Sequence, residues 1–146
     1  MKIEIAIKPD LKEPHVVVYT NEVTDEVQNI VDRLSNLQIK IITGTQDRKI
    51  YLIEYGEIYC FYSENQKIYA KTDKGSFSVK QKLYELEEML KGSSFLRISN
   101  SCIVNMDKVK NLDISYSGSI DIVFKDESKE FVSRRYVSKI KKYLGI

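Results

Sequence analysis

The stretch IYLIEYGEIYCFYSENQKIYAKTDKGSFSVK, residues 50–80, decides the fold class. It divides into four short runs rich in Ile, Val, Tyr and Phe: IYLIEY (50–55), EIYCFY (57–62), KIYAKT (67–72) and SFSVK (76–80). Gly56 punctuates the first break and Ser63–Gln66 form a polar turn at the second. Asp73-Lys74-Gly75 make a tight turn in which the glycine is free to take positive φ. Short β-branched and aromatic runs at this spacing read as strands joined by turns. Next, LYELEEML (83–90) sets Leu83, Leu86 and Leu90 on one helical face, and Gly92 ends it. FLRI (95–98), IVN (103–105), VKNLDIS (109–115), IDIVF (120–124) and EFVS (130–133) return to strand texture, and a closing helix spans 134–144. The body from residue 47 onward is therefore α+β and strand-rich, with one internal and one terminal helix.

Upstream, KIEIAIK (2–8) alternates Ile3, Ile5 and Ile7 with Lys2, Glu4, Ala6 and Lys8, the pattern of a strand with one buried face. Pro9-Asp10 breaks it, and HVVVYT (15–20) reads as a second strand. Asn21 or Thr24 can cap a helix over 22–37, whose apolar face is Val23, Val27, Ile30, Val31, Leu34 and Leu37. IKIIT (39–43) is a third strand. The reading gives a small β-β-α-β unit over 1–46, a candidate dimerisation element, followed by a second domain over 47–146.

Composition narrows the function. The chain has 146 residues, with 42% hydrophobic and 30% charged, enough for one domain with a small appendage. No run approaches the roughly 18 apolar residues of a membrane span. The N-terminus lacks the long apolar core of a secretory signal, so a cytoplasmic protein is expected. A single histidine, His15, and two cysteines, Cys60 and Cys102, are far apart in sequence. That supply is short of a four-ligand zinc set or a nucleophile–base pair, so no metal, cofactor or catalysis is expected. Each cysteine lies in an apolar run and reads as a small buried hydrophobe with a free thiol. There is no P-loop, GxGxxG, HExxH or EF-hand loop.

Charge points elsewhere. Residues 1–46 hold 5 basic and 7 acidic side chains, whereas residues 47–146 hold 18 and 14. RRYVSKIKK (134–142) has five basic residues and no acidic one, a footprint suited to a polyanion. Each helix stands alone among strands, so a helix-turn-helix is excluded and a DNA reader would have to use loops or strand ends. Two segments meet that description. FLRISNSCIVNMDKV (95–109) sets Arg97, Ser99, Asn100, Ser101, Asn105 and Lys108 between the apolar anchors Phe95, Ile98, Ile103 and Val104. FVSRRYVSKI (131–140) sets Ser133, Arg134 and Arg135 at the mouth of the last helix. Asn can pair bidentately with adenine and Arg with guanine, while Ser and Lys suit phosphate.

From about residue 47 the chain resembles the LytTR-type DNA-binding domain family. EIYCFYSENQKIYAKT, KLYELEEML, FLRISNSCIVNMDKV and FVSRRYVSKIKKYL follow that family's motifs in order and spacing. The resemblance implies an elongated antiparallel β-fold with short helices, whose loops enter major grooves on one side of double-stranded DNA. It implies a bacterial transcription regulator and no enzyme. Asn100 and Arg135 match base-reading positions, and Gln66-Lys67 match a third contact region where some members have histidine. Lys80, Lys82, Ser101, Lys108 and Arg134 are the implied phosphate contacts. Ser99 stands where the family usually has histidine, which bears on sequence preference. Residues 1–46 are too short for a receiver domain, so the resemblance is to standalone regulators, controlled by their level or by a companion membrane protein rather than by a kinase; a homodimer is expected from the 1–46 unit, whose helix offers six apolar positions. The alternative is a protein-interaction module of the same fold that serves a protein or membrane partner.

Overall fold

A computed structural model describes residues 1–35 and 40–146. The chain divides into two compact units, residues 1–38 and 39–146.

In the first unit the regular element is helix α1, Asp25–Ser35. Thr24 Oγ1 accepts from the Val27 N–H at 3.3 Å, and Asp25 and Glu26 place negative charge at the positive end of the helix dipole. Residues 36 and 37, the expected end of this helix, lie outside the described residues. The two strands expected over 2–8 and 15–20 are not formed. Ile3, Ile5 and Ile7 are 80%, 90% and 87% exposed, and Val16, Val17 and Tyr19 are exposed too. Alternation is necessary for a half-buried strand, but a strand also needs a partner ladder for its N–H and C=O groups. Neither segment has one among the described residues. The β-β-α-β reading is corrected accordingly.

The third expected strand exists but belongs to the second unit. Strand β1, Ile41–Gln46, pairs antiparallel with β2, Lys49–Glu54, and touches β5, Gly75–Val79, through Thr45 and Ser78. With β3 (Cys60–Glu64), β4 (Lys67–Thr72), β6 (Phe95–Ser99) and β7 (Cys102–Asn105), these make a seven-stranded sheet ordered β2-β1-β5-β4-β3-β7-β6. A second, three-stranded sheet is ordered β10-β9-β8, from β8 (Val109–Ile114), β9 (Ile120–Phe124) and β10 (Lys129–Phe131). Helix α2, Leu83–Met89, joins β5 to β6, and α3, Val137–Leu144, ends the chain.

Alternation along the central strands builds two cores. Phe61, Ala70, Phe77 and Ile103 pack with Leu83, Leu86 and Leu90 of the α2 segment. Cys60, Cys102 and Val104 pack on the other face with Ile120, Ile122 and Phe124 of the second sheet and Ile140 of α3. Because β3 and β7 are covered on both faces, EIYCFY and CIVN are nearly all apolar, as for strands buried from both sides. Gly44 marks a close approach, since a Cβ there would lie 2.7 Å from both Ile53 Cδ1 and Phe77 Cβ.

One polar side chain sits at the end of β7 inside this packing. Asn105 is buried, its Nδ2 donates to the Ile58 carbonyl at 2.9 Å, and its Oδ1 accepts from Ser94 Oγ at 2.8 Å and the Asp107 N–H at 3.1 Å. Asn105→Leu would orphan three groups at once, at a cost of about 1–3 kcal/mol for each one left buried. Urea unfolding of this variant should show a lower midpoint with an unchanged slope, a loss of about 2–4 kcal/mol in unfolding free energy. Gly44→Ala should also lower the midpoint, with a stability loss of about 1–3 kcal/mol, through overpacking.

Candidate nucleic-acid interface

The antiparallel register brings four chain segments to one end of the large sheet. β3 and β4 are joined by a tight hairpin in which Asn65 and Gln66 both take left-handed conformations, φ 50° and 64°. Two such residues in succession match the twist of a two-residue hairpin and throw Gln66 and Lys67 into solvent. Ile68 pairs with Val79, so Lys80 emerges beside Lys67. The chain then reaches Lys82, whose N–H donates to Glu85 Oε1 at 3.2 Å and starts α2. The β6–β7 turn, Ser99 to Ser101, comes out at the same end, and the Ser63 N–H donates to the Ser101 carbonyl at 2.9 Å.

Arg97 shapes that turn. Its Nε donates to the Ser99 carbonyl at 2.8 Å and Nη2 to the Asn100 carbonyl at 2.7 Å. Nη1 reaches Glu87 Oε2 on α2 at 2.8 Å. A guanidinium offers donors in a fixed planar fork, so these three bonds set the path of the turn and tie it to α2. Arg97 is therefore engaged in structure, while Asn100 and Ser101 remain exposed.

The second segment docks on the first. The Ser133 N–H donates to the Ile98 carbonyl at 2.9 Å. A 3₁₀ turn over Arg134–Tyr136 follows, and Tyr136 Oη lies 3.4 Å from Asn100 Oδ1, a long hydrogen bond. Val132 and Ile140, both buried, anchor the turn on either side and leave Arg134 and Arg135 in solvent. Tyr136 is the organising residue that sequence reasoning did not assign, whereas Arg97, a charge flanked by Phe95 and Ile98 that could equally be structural, takes the structural role. The only signal for Tyr136 was a place inside the motif, since its partner comes from another element.

Cations predominate at this end, although Glu64 lies opposite Lys67 in the hairpin and Glu85 accepts from the Lys82 N–H. Lys67, Lys80, Lys82, Arg134 and Arg135 are exposed, and none has an ion pair among the described residues. Elsewhere Lys71 pairs with Asp126 at 3.4 Å and Lys110 with Glu127 at 2.6 Å. Eight of the nine expected contact residues (Gln66, Lys67, Lys80, Lys82, Asn100, Ser101, Arg134 and Arg135) thus share one end. Lys108 does not. It follows β7 beyond Asn105, at the opposite end of the sheet, half-buried with Nζ 5.2 Å from the Tyr59 ring centroid. Tyr59 itself donates to Asp73 Oδ1 at 2.8 Å, and this bond, with burial, pushes its phenol up to about 12.

Comparison with known proteins agrees with this geometry. The LytTr DNA-binding domain family matches residues 48–145. Relatives in Staphylococcus aureus strains NCTC 8325 and MSSA476, each named an uncharacterized HTH-type transcriptional regulator, are 31% identical over 100% of this chain and 99% of their own. Among the described residues no two α-helices are consecutive elements of the chain, which is not the arrangement that name describes. A solved LytTr DNA-binding domain from Bacillus cereus has a similar fold, with TM-score 0.69 and 22% identity over 73% of this chain and 97% of that one. The strand-rich sheet, the basic strand ends and the family match together make this chain a member of the LytTr DNA-binding domain family.

Proposed function

We propose that this protein regulates transcription by binding double-stranded DNA through the end of the large sheet that carries the 65–67 hairpin, the 99–101 turn and the 134–136 turn. The observation that carries this reading is the docking of the 134–136 turn on the 99–101 turn, with five unpaired cations around the junction. Asn100 and Arg135 read base edges in the major groove, and Gln66 and Lys67 contact a neighbouring region. Lys80, Lys82, Ser101 and Arg134 meet phosphates. Lys108 lies too far round the sheet to join them and serves packing against Tyr59 instead.

The protein acts in the cytoplasm and as a homodimer, with residues 1–38 as the joining element. Support for the second point is the row Ile3, Ile5 and Ile7, a strand pattern without a strand partner in its own unit. A linked pair of readers raises the effective concentration of the second at its half-site. A companion membrane protein would then act on the dimer; among the described residues no helix is long and apolar enough to cross a membrane itself.

Asn100→Ala and Arg135→Ala should each weaken binding to the cognate site by about 1–3 kcal/mol with unchanged circular dichroism, measured by fluorescence anisotropy. Arg134→Ala or Lys80→Ala should weaken binding to all duplexes alike and flatten the salt slope by about one unit, whereas Lys108→Ala should leave the slope as it is. Arg97→Ala should weaken site binding by roughly 1–2 kcal/mol although it touches no base, through loss of charge-assisted bonds that hold the turn. A shortened chain of residues 39–146 should sediment as a monomer where the full chain is a dimer. If it still dimerises without DNA, the interface lies in the β-unit.

A further inference from the structure

Cys60 and Cys102 are far apart in sequence but meet in the fold. The β3–β7 register pairs Cys60 with Val104 and Tyr62 with Cys102, which sets both thiols on one face as diagonal neighbours. Glu130 approaches from β10, the edge strand of the second sheet. The two Sγ atoms and a Glu130 carboxylate oxygen all lie within 4.8 Å of one another. Three ligand-type atoms from three strands and two sheets thus converge on one point.

We propose that Cys60, Cys102 and Glu130 form a binding site for a thiophilic divalent cation of the zinc class. Zinc takes thiolate sulfur at about 2.3 Å and carboxylate oxygen at about 2.0–2.2 Å, so its ligands sit roughly 3.5–4 Å apart. The observed separations, all within 4.8 Å, are of that order. On binding, both thiols release their protons to solvent and each sulfur forms a bond to the cation. Glu130 supplies the third bond, and water can take the fourth position from the half-open Glu130 side.

Glu130 is the residue that separates this reading from simple packing. The buried polar side chains Thr72 and Asn105 are hydrogen-bonded, and the fully buried side-chain atom without a partner among the described residues is Gln81 Oε1. The half-buried Glu130 carboxylate has neither a side-chain hydrogen bond nor an ion pair among the described residues. Burial pushes its acid range up, opposed by the Lys71 charge, and the Cys102 thiol is held well above its ordinary value by the Cys60 thiol and by burial. With a cation bound, three negative ligands face two positive charges, and Arg97 and Lys71 lie near enough to act on the remainder.

The site would stitch β3 and β7 of the large sheet to β10 of the small one. Cys102 follows the 99–101 turn directly, and Glu130 precedes Arg134 by a few residues, so the roots of both turns would be tied. The proposal stands independently of DNA binding.

The test is a titration of the reduced full-length protein with cadmium, whose thiolate complexes absorb by charge transfer in the ultraviolet. One cadmium per chain should bind with a thiolate band and raise the thermal unfolding midpoint. Cys102→Ala should lose both the band and the rise, with its fold checked by circular dichroism. Glu130→Gln, on the partly exposed edge, should keep the band but bind at least roughly tenfold more weakly, since even outer-shell losses cost 10–100-fold. Zinc in large excess should compete for the site and lower the cadmium band. Absence of a band in the native protein, equal affinity in Glu130→Gln, or formation of a Cys60–Cys102 disulfide with no cadmium uptake would each overturn the proposal.

Discussion

The antiparallel pairing of β3 with β7 is the contact on which the rest of the β-unit depends. It joins Cys60 to Val104, Phe61 to Ile103 and Tyr62 to Cys102, and it is extended at one end by the Ser63–Ser101 bond and at the other by the Asn105 N–H to the Tyr59 carbonyl at 2.8 Å. Phe61 and Ile103 face the α2 side while Cys60, Cys102 and Val104 face the second sheet. A slip of one residue would exchange the two faces and unmake both cores together. The same pairing also aligns the 65–67 hairpin with the 99–101 turn, so register in the core and placement of polar groups at the rim are a single constraint.

Charges at that rim are divided by their surroundings. Arg97, mostly covered, is neutralised by Glu87 and by two carbonyls. Its guanidinium is consumed by the shape of the turn and is not on offer to a ligand. Lys67, Lys80, Lys82, Arg134 and Arg135 keep their charge in water, where desolvation costs nothing until a polyanion arrives. In the proposed interface, rigid support beneath these exposed cations would combine a fixed pattern of base-edge groups with a general attraction for phosphate. Tyr136, through Asn100, makes the two turns one surface.

Much of this was legible in the residues. Strands β2 to β9 and helices α2 and α3 fall within a few residues of where alternation, turn chemistry and helical spacing place them, because there local preference and tertiary packing agree. Phe95, Ile98, Ile103 and Val104 do anchor the first candidate segment as their apolar character suggests. Disagreement is confined to cases in which a partner had to come from outside the local window. KIEIAIK carries a flawless alternation and forms no strand, for want of a ladder. IITGTQ lies next to the helix in sequence but pairs with β2 and β5. Lys108 shares a motif with Asn100, yet β7 runs between them and carries it to the far end of the sheet.

By itself the sequence determined which segments are extended, which faces are apolar, where the turns fall, and that the basic, hydrogen-bonding residues cluster in two loops. Those are local properties, set by side-chain periodicity and backbone preference within a few residues. Tertiary structure alone decided that the two loops meet, that Arg97 belongs to the scaffold, that Lys108 stands apart, and that Cys60 and Cys102 meet Glu130. Each of these depends on strand order and register, which follow from burying two faces of one sheet at once and so cannot be read from any single stretch of chain.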